Sequence, residues 1–190
     1  MPQEPESKES TGLSRRTFLA RAAGCAGLLL APVGMSYAQF PSTRSLKFVH
    51  THTGEKLSVD YCSDGLYQAT CLDQVQRLLR DFRTGELHAI DPQLLDVLYK
   101  LQVRVDRDVT YEVISGYRSP QTNSALRRLS HEVAEHSLHM DGRAIDIRVE
   151  GYPTAKLHDH ALALAAGGVG YYAHSDFVHV DTGRFRTWVG

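Results

Sequence analysis

The sequence has little of what marks several common kinds of functional site. It contains three cysteines among 190 residues, and their spacing does not fit a zinc–thiolate site. Its net charge of −1 gives no reason to expect nucleic acid or an anionic membrane as a partner. No internal repeat or low-complexity segment occurs after residue 40. What is present, 42% hydrophobic and 23% charged residues, is the composition of a globular protein, and the length suggests one domain.

The N-terminal segment has the pattern of an export signal. The paired Arg15 and Arg16, in the stretch SRRTF, precede the apolar run AAGCAGLLLAPVG. This run is shorter than the roughly 20 apolar residues that span a membrane. The small-x-small sequence SYA ends the segment, so we predict that residues 1–38 are cleaved. Residues 39–190 then form the mature domain, with no stable membrane anchor.

The paired arginines, together with Phe18, match the twin-arginine export pattern. We therefore predict that the twin-arginine machinery exports the chain to the periplasm. An ordinary secretory signal with two chance arginines is the alternative. Because the twin-arginine route carries proteins that have already folded in a reducing cytosol, folding cannot depend on a disulfide. A Cys62–Cys71 disulfide in the oxidising compartment stays open as a non-essential addition.

The rest of the chain mixes strand and helix patterns. Alternating runs on either side of Thr53-Gly54 predict a β-hairpin. Apolar residues at helical spacing predict a helix that ends at Gly85, and a second helix follows the N-cap Asp91 with Pro92 at its first position. Strands are predicted in TYEVIS, RAIDIRVEG and VGYYAHSDFVHVDT, and helices in SPQTNSALRRLS and PTAKLHDHALALAAGG. This order predicts an α+β fold with a mainly antiparallel sheet.

Two of the late strands each have an aliphatic side and a side with a metal-ligand type of residue. In AIDIRV, Asp146 lies on the face opposite the two isoleucines, and in FVHVD, His179 lies opposite the two valines. If these strands pair with their aliphatic sides together, Asp146 and His179 face the same cleft. His139 lies in the loop before the first strand, where Gly142 allows a tight turn back over it. Two imidazoles, one carboxylate and an open fourth position are typical of a catalytic zinc site, although ten histidines also allow chance spacing.

Several motifs resemble those of a known peptidase family. SLHMDGRAID fits the S-x-H-x-x-G-x-A-x-D motif of the M15 zinc peptidases, the D-alanyl-D-alanine carboxypeptidase group. SGYRSPQTN and DFVHVD resemble their arginine-bearing and second metal motifs. The sequence is most similar to the YcbK-type (DUF882) murein endopeptidases, from near Leu46 to Gly183. This resemblance implies a Hedgehog/DD-peptidase (LAS-type) fold with flanking helices and an open zinc cleft, a Zn²⁺ cofactor, and peptidoglycan peptide stems as the partner.

The resemblance also implies roles for individual residues. His139, Asp146 and His179 match the zinc ligands. Arg118 matches the family arginine that holds the substrate carbonyl or the developing oxyanion charge, a task that suits a permanently charged fork of donors.

The general base is open between two carboxylates. Asp176, three residues before His179, matches a family position, provided that it lies in the turn before the strand and not within it. His174 matches another family histidine and is predicted to assist the base. Asp181 could instead orient a ligand imidazole. His136, near the first motif in sequence, is interpreted as a surface residue.

The predicted function is hydrolysis of peptide crosslinks in peptidoglycan by a zinc-dependent endopeptidase. One alternative is a D-alanyl-D-alanine carboxypeptidase, which needs a closed pocket end and a cation for the free carboxylate, whereas an endopeptidase needs a groove that is open at both ends. The other alternative is a non-catalytic peptidoglycan-binding domain that retains the metal. Arg118, His174 and Asp176 argue against it, because a binding module needs no such groups.

Overall fold

The computed structural model describes residues 42–130 and 133–190. The predicted export signal lies outside the described residues. Within them, the chain forms eight strands, four α-helices and a short 3₁₀-helix at Leu138–Asp141. The strands are β1 (Thr43–His50), β2 (Lys56–Ser63), β3 (Leu66–Tyr67), β4 (Tyr111–Ser115), β5 (Ala144–Val149), β6 (Gly168–Tyr172), β7 (Phe177–Asp181) and β8 (Arg186–Val189). The helices are α1 (Ala69–Leu78), α2 (Pro92–Val105), α3 (Pro120–Leu129) and α4 (Thr154–Leu164).

All eight strands belong to one sheet, in the order β3-β2-β1-β4-β5-β7-β6-β8. Five of the seven neighbouring pairs among the described strands are antiparallel, and the pairs β1–β4 and β6–β8 are parallel. The prediction of mixed helices and strands with a mainly antiparallel sheet is therefore confirmed. The hairpin is confirmed as well, since β1 and β2 flank the turn at Thr53-Gly54.

Local signals explain most of the helix boundaries. Helix α2 begins as predicted, because the Asp91 carboxylate accepts a hydrogen bond from the Gln93 amide at 2.9 Å and Pro92 occupies the first turn. The prediction for α1 was wrong at its end, since this helix stops at Leu78 and not near Gly85. The reason is Asp81: its carboxylate accepts from the Arg83 amide at 2.9 Å, and its carbonyl accepts from the Gly85 amide at 2.7 Å, which turns the chain.

One face of the sheet is covered by helices and forms the core. Helices α1, α2 and α4 contact this face, and the residues that β5 and β7 send into it are almost completely buried: Ile145, Ile147, Val178 and Val180. Cys62 and Cys71 are both free thiols. In the described part of the chain, no helix has the length and apolar character needed to cross a membrane.

Candidate metal centre

The pairing of β5 with β7 brings two of the predicted ligands together. Asp146 and His179 are direct partners across the two antiparallel strands, so both side chains project from the sheet face opposite the helices. On the other side of β5, a register shift in β4 sets Ser115 opposite Asp146. The period-two alternation of the sequence determines the face on which the carboxylate and the imidazole lie, and the register of the pairing puts them side by side.

His139 reaches the same place from the 3₁₀-helix that precedes β5. Gly142 ends this helix with φ of 64°, and a Cβ atom there would come 2.1 Å from the carbonyl oxygen of Ala89. Both the left-handed backbone and the close approach require glycine at this position. The backbone carbonyl of His139 accepts a hydrogen bond from the Arg118 amide at 3.1 Å, which ties the helix to the loop that carries the predicted arginine.

Three potential ligand atoms converge at this point. The distance from His139 Nε2 to His179 Nδ1 is 3.2 Å, from His139 Nε2 to Asp146 Oδ1 3.2 Å, and from His179 Nδ1 to Asp146 Oδ1 2.9 Å. Ligand atoms about 2.0–2.1 Å from a tetrahedral metal are about 3.3 Å apart. In the described residues, this is the only group of three or more His, Cys, Asp or Glu side chains with the proximity to hold a metal ion.

The outer nitrogen of each ring shows why a cation fits between these atoms. His139 Nδ1 lies 2.7 Å from the carbonyl oxygen of Gly116, which only accepts, so Nδ1 carries a proton. His179 Nε2 lies 3.0 Å from Asp181 Oδ2 and donates to that carboxylate in the same way. In the neutral rings, His139 Nε2 and His179 Nδ1 therefore carry no proton, and their lone pairs point toward each other and toward Asp146. A metal ion requires such lone pairs as ligands, so a cation fits between these atoms.

The electrostatics of the three residues agree with a site built for positive charge. Burial alone would raise the pKa of the Asp146 carboxyl, but the His139 and His179 imidazoles, which supply charge and hydrogen-bond donors to it when they carry a second proton, hold this pKa well below its usual range. Burial lowers the pKa of His139. Burial also opposes protonation of His179, but hydrogen bonds to Asp146 and Asp181 raise its pKa overall. The carboxylate is thus kept ionised in a buried position.

Arg118 lies beside the ligand set. Its Nη2 donates to Ser115 Oγ and to Asp146 Oδ2, both at 3.3 Å, and the side chain is 11% exposed. Its Nε is buried and has no hydrogen-bond partner. Burial lowers the pKa of the guanidinium, but an arginine keeps its charge at any pH near neutral. A permanent positive charge therefore adjoins the carboxylate at this site.

Asp181 contacts the outer side of His179. Its carboxylate accepts from His179 Nε2, from the amides of Gly168 and Gly183 at 2.9 and 2.8 Å, and from both terminal nitrogens of Arg186. Burial would raise the pKa of Asp181, but these donors hold it well below its usual range. A fully buried carboxylate with this many partners has the geometry of a group that orients an imidazole ligand.

Asp176 lies in the turn before β7, as a base at that spacing requires. It has φ of 53°, and the strand starts at the next residue. Its side chain is 61% exposed, accepts a hydrogen bond from Thr154 Oγ1 at 2.5 Å and lies 3.6 Å from Arg148 Nη1. Asp176 and these partners line a second cavity, and Asp176 does not border the cavity over the ligand set. His174, in the same turn, is exposed.

A cavity of about 380 Å³ lies over the ligand set. It is lined by the three ligand candidates and Arg118, and also by side chains to which the sequence analysis gave no role in the site: His136, Tyr172, Phe177, Arg186 and Trp188. His136 is exposed, as predicted, but it borders this cavity and is therefore close to the site in space as well as in sequence. Sequence reasoning missed the contribution of β8 entirely, because Arg186 and Trp188 lie beyond the last motif.

Comparisons with known proteins give a family match along most of the chain. The profile of the Peptidase_M15_2 family, described as peptidoglycan L,D-endopeptidase MepK, matches residues 38–188. The probable peptidoglycan L,D-endopeptidase MepK of Haemophilus influenzae is 38% identical over 93% of this chain and 96% of its own length. The peptidoglycan L,D-endopeptidase MepK of Escherichia coli K12 is 37% identical over 92% of this chain and 97% of its own length. No solved structure gives a match.

The match to the family includes the ligand set and reaches into β8, and the two relatives align over nearly their whole length. The resemblance seen in the short motifs is thus part of a similarity that extends along the chain. The protein belongs to the M15 peptidase family described as peptidoglycan L,D-endopeptidase MepK.

Proposed function

We propose that this protein is a zinc-dependent endopeptidase that hydrolyses peptide crosslinks of peptidoglycan. The observation that carries the proposal is the convergence of His139 Nε2, Asp146 Oδ1 and His179 Nδ1 within 3.2 Å of one another, beside Arg118 and beneath a cavity. Membership of a peptidase family, with relatives named as peptidoglycan L,D-endopeptidases, supports the substrate class. The corresponding fold is the Hedgehog/DD-peptidase type with an open cleft.

The metal would be held by His139, Asp146 and His179. When bound, Zn²⁺ supplies a Lewis acid for the scissile carbonyl and lowers the pKa of a bound water toward neutrality. The buried ring of His139 is fixed by Gly116, and that of His179 by Asp181, so neither imidazole needs to reorganise when the metal binds.

Arg118 is proposed to stabilise the oxyanion that develops as the peptide carbonyl is attacked. Its guanidinium borders the cavity and is held on one edge by Ser115 and Asp146. A preorganised cation in a partly dehydrated site stabilises developing negative charge more than it stabilises a neutral carbonyl. This difference favours the transition state over the bound substrate, which is the condition for a faster reaction.

Asp176 is proposed to move the proton from the attacking water to the leaving amine, with His174 assisting. The side chain is 61% exposed, and the carboxylate would exchange its contact with Thr154 for one with the substrate. Asp181 does not suit this role, because its oxygens are buried and already accept from His179, Arg186 and two backbone amides.

The function is tested with purified crosslinked muropeptides and mass spectrometry of the products. An endopeptidase converts crosslinked dimers into monomers, whereas a carboxypeptidase releases a single terminal D-alanine and leaves the crosslink intact. Dimers with L,D- and D,D-crosslinks, supplied separately, identify the bond that is cut. A non-catalytic binding domain would release neither product while retaining affinity for the polymer, and that result would refute the proposal.

Export to the periplasm follows from the same substrate class, since peptidoglycan lies outside the cytoplasmic membrane. We expect Arg15→Lys and Arg16→Lys together to leave uncleaved precursor in the cytosol, because the twin-arginine machinery reads the pair. Cell fractionation with antibody detection measures the distribution. Unchanged export of the double variant would assign the chain to the general secretory route.

A further inference from the structure

The last strand of the sheet brings two large side chains to the metal centre. Strand β8 pairs in parallel with β6, in a register that sets Arg186 beside Gly168 and Trp188 beside Gly170. Both side chains line the cavity over the ligand set. Neither is a metal ligand or lies in a motif that marks the site, so their function has to come from what they contact.

Arg186 forms the outer end of a chain of charged hydrogen bonds. Its Nη2 donates to Asp181 Oδ2 at 2.7 Å and its Nη1 to Asp181 Oδ1 at 3.1 Å. The same Asp181 Oδ2 accepts from His179 Nε2 at 3.0 Å, and His179 Nδ1 points to the metal position. A bidentate contact between an arginine and a carboxylate fixes the plane of the carboxylate. The carboxylate of Asp181 in turn fixes the orientation of the His179 ring.

Trp188 closes the site on the side of His179. The centroids of the two rings are 5.1 Å apart, and the indole Nε1 donates to Tyr172 Oη at 2.9 Å. The guanidinium carbon of Arg186 lies 5.1 Å from the centre of the Trp188 ring. The indole therefore packs against both His179 and Arg186.

Two glycines of the GGVGYY stretch make room for these side chains. A Cβ atom at Gly168 would lie 2.4 Å from both Arg186 Nη1 and Asp181 Oδ2, and one at Gly170 would lie 2.5 Å from the Trp188 ring. Side chains at either position would displace Arg186 or Trp188 from the site. Strand β6 is thus shaped to let β8 reach the back of the metal centre.

We infer that Arg186 is a positioning residue for the metal ligand His179, acting through Asp181, so that the C-terminal strand β8 is part of the active site. The inference rests on the proposed metal site. Its consequence is measurable without any substrate: loss of Arg186 weakens metal binding although this residue does not touch the metal. Partners of this kind typically contribute 10- to 100-fold to metal affinity or activity.

The test compares zinc affinity in Arg186→Gln, Arg186→Lys and the matched control Arg184→Gln. Arg184 is exposed and lies two residues away, so its replacement removes the same charge without touching Asp181. Competition with a chelator gives the affinity, and Trp188, the only tryptophan in the chain, gives an independent fluorescence signal beside His179. We expect roughly a 10- to 100-fold loss for Arg186→Gln, a smaller loss for Arg186→Lys and none for Arg184→Gln.

A double-mutant cycle separates positioning from a general structural effect. If Arg186 acts through Asp181, the loss caused by Arg186→Gln disappears in an Asp181→Asn background. An equal loss in both backgrounds, or an affinity of Arg186→Gln within twofold of wild type, would overturn the inference. If Arg186→Gln does not fold, the same comparison of zinc affinity in the two backgrounds is made with Arg186→Lys. Wild-type protein that binds no zinc would refute the metal site itself, an outcome distinct from zinc binding that ignores Arg186.

Discussion

Both faces of β5 and β7 carry buried side chains, but the two faces have opposite chemistry. On the helix side, Ile145, Ile147, Val178 and Val180 are at most 1% exposed and contact other apolar side chains. On the other side, Asp146 and His179 are 6% and 8% exposed, and they lie among charged and aromatic groups. The same two strands therefore serve a hydrophobic core and a polar centre at once.

The difference lies in how each face satisfies burial. The aliphatic face needs only close packing, since its side chains carry no polar atoms. The polar face needs hydrogen-bond partners for the buried side chains of His139, His179 and Asp146, and these come from the Gly116 carbonyl, from Asp181 and from Arg118. Substitutions on the aliphatic face should therefore change the stability of the fold. Substitutions on the polar face should change metal binding and turnover.

The largest effect is expected for His139→Ala, on the polar face. We expect the mature protein to lose both its zinc and its activity while the aliphatic core stays intact, because the substitution removes a ligand and no core side chain. Elemental analysis counts zinc per chain, and circular dichroism with thermal unfolding reports on the fold. His136→Ala, three residues earlier and exposed beside the same cavity, is the control and should keep full zinc. Full zinc occupancy in His139→Ala would disprove the ligand assignment.

The next largest effect is expected for Asp176→Ala. This variant should keep its zinc but lose about 10²- to 10⁴-fold in turnover, the usual contribution of a general acid–base group. Turnover and zinc affinity are measured on the same preparation, with Asp159→Ala, an exposed carboxylate on α4, as the control. Normal turnover in Asp176→Ala, combined with an Asp181→Ala variant that binds zinc but is inactive, would assign the base to Asp181.

Asp181→Ala should affect binding more than chemistry. It leaves His179 Nε2 without its acceptor and Arg186 without its carboxylate, so we expect zinc affinity to fall by about 10- to 100-fold. Chelator competition measures the change. Asp108→Ala, at an exposed ion pair with Lys47, is the matched substitution and should have no effect on zinc. If Asp181→Ala binds zinc as tightly as the wild type does, Asp181 does not orient His179.

The smallest effect is expected for Ile147→Val, on the aliphatic face. Ile147→Val removes one buried methyl group on the strand that carries Asp146, at a completely buried position. We expect the free energy of unfolding to fall by about 0.5–1.5 kcal/mol, measured by denaturant titration of the metal-free protein. Zinc affinity should stay within twofold of wild type. A larger change in affinity would show that the two faces are not independent.

Simple local rules predict the centre of the site from sequence. Alternation with a period of two determines which face Asp146 and His179 occupy, and the left-handed turn at Gly142 brings His139 back over β5. The coarse fold follows from the order of such patterns. These features depend on residues close together in sequence, where propensity and spacing carry the information.

What could not be predicted depends on contacts between distant segments. Strand β8 has only four residues, and its parallel pairing with β6 leaves no periodic signal in so short a run. The early end of α1 follows from Asp81, whose carboxylate also accepts from the amide and hydroxyl of Ser119 on a remote loop. The contact of Asp176 with Thr154 and Arg148 likewise exists only once α4 and β5 are in place.

We propose that His139, Asp146 and His179 bind a zinc ion on which cleavage of peptidoglycan peptide crosslinks depends. The most direct measurement is mass spectrometry of crosslinked muropeptides incubated with chelator-treated mature protein, with and without one equivalent of Zn²⁺. We predict intact dimers without zinc and monomers after zinc is restored. Equal conversion to monomers in both samples would contradict it.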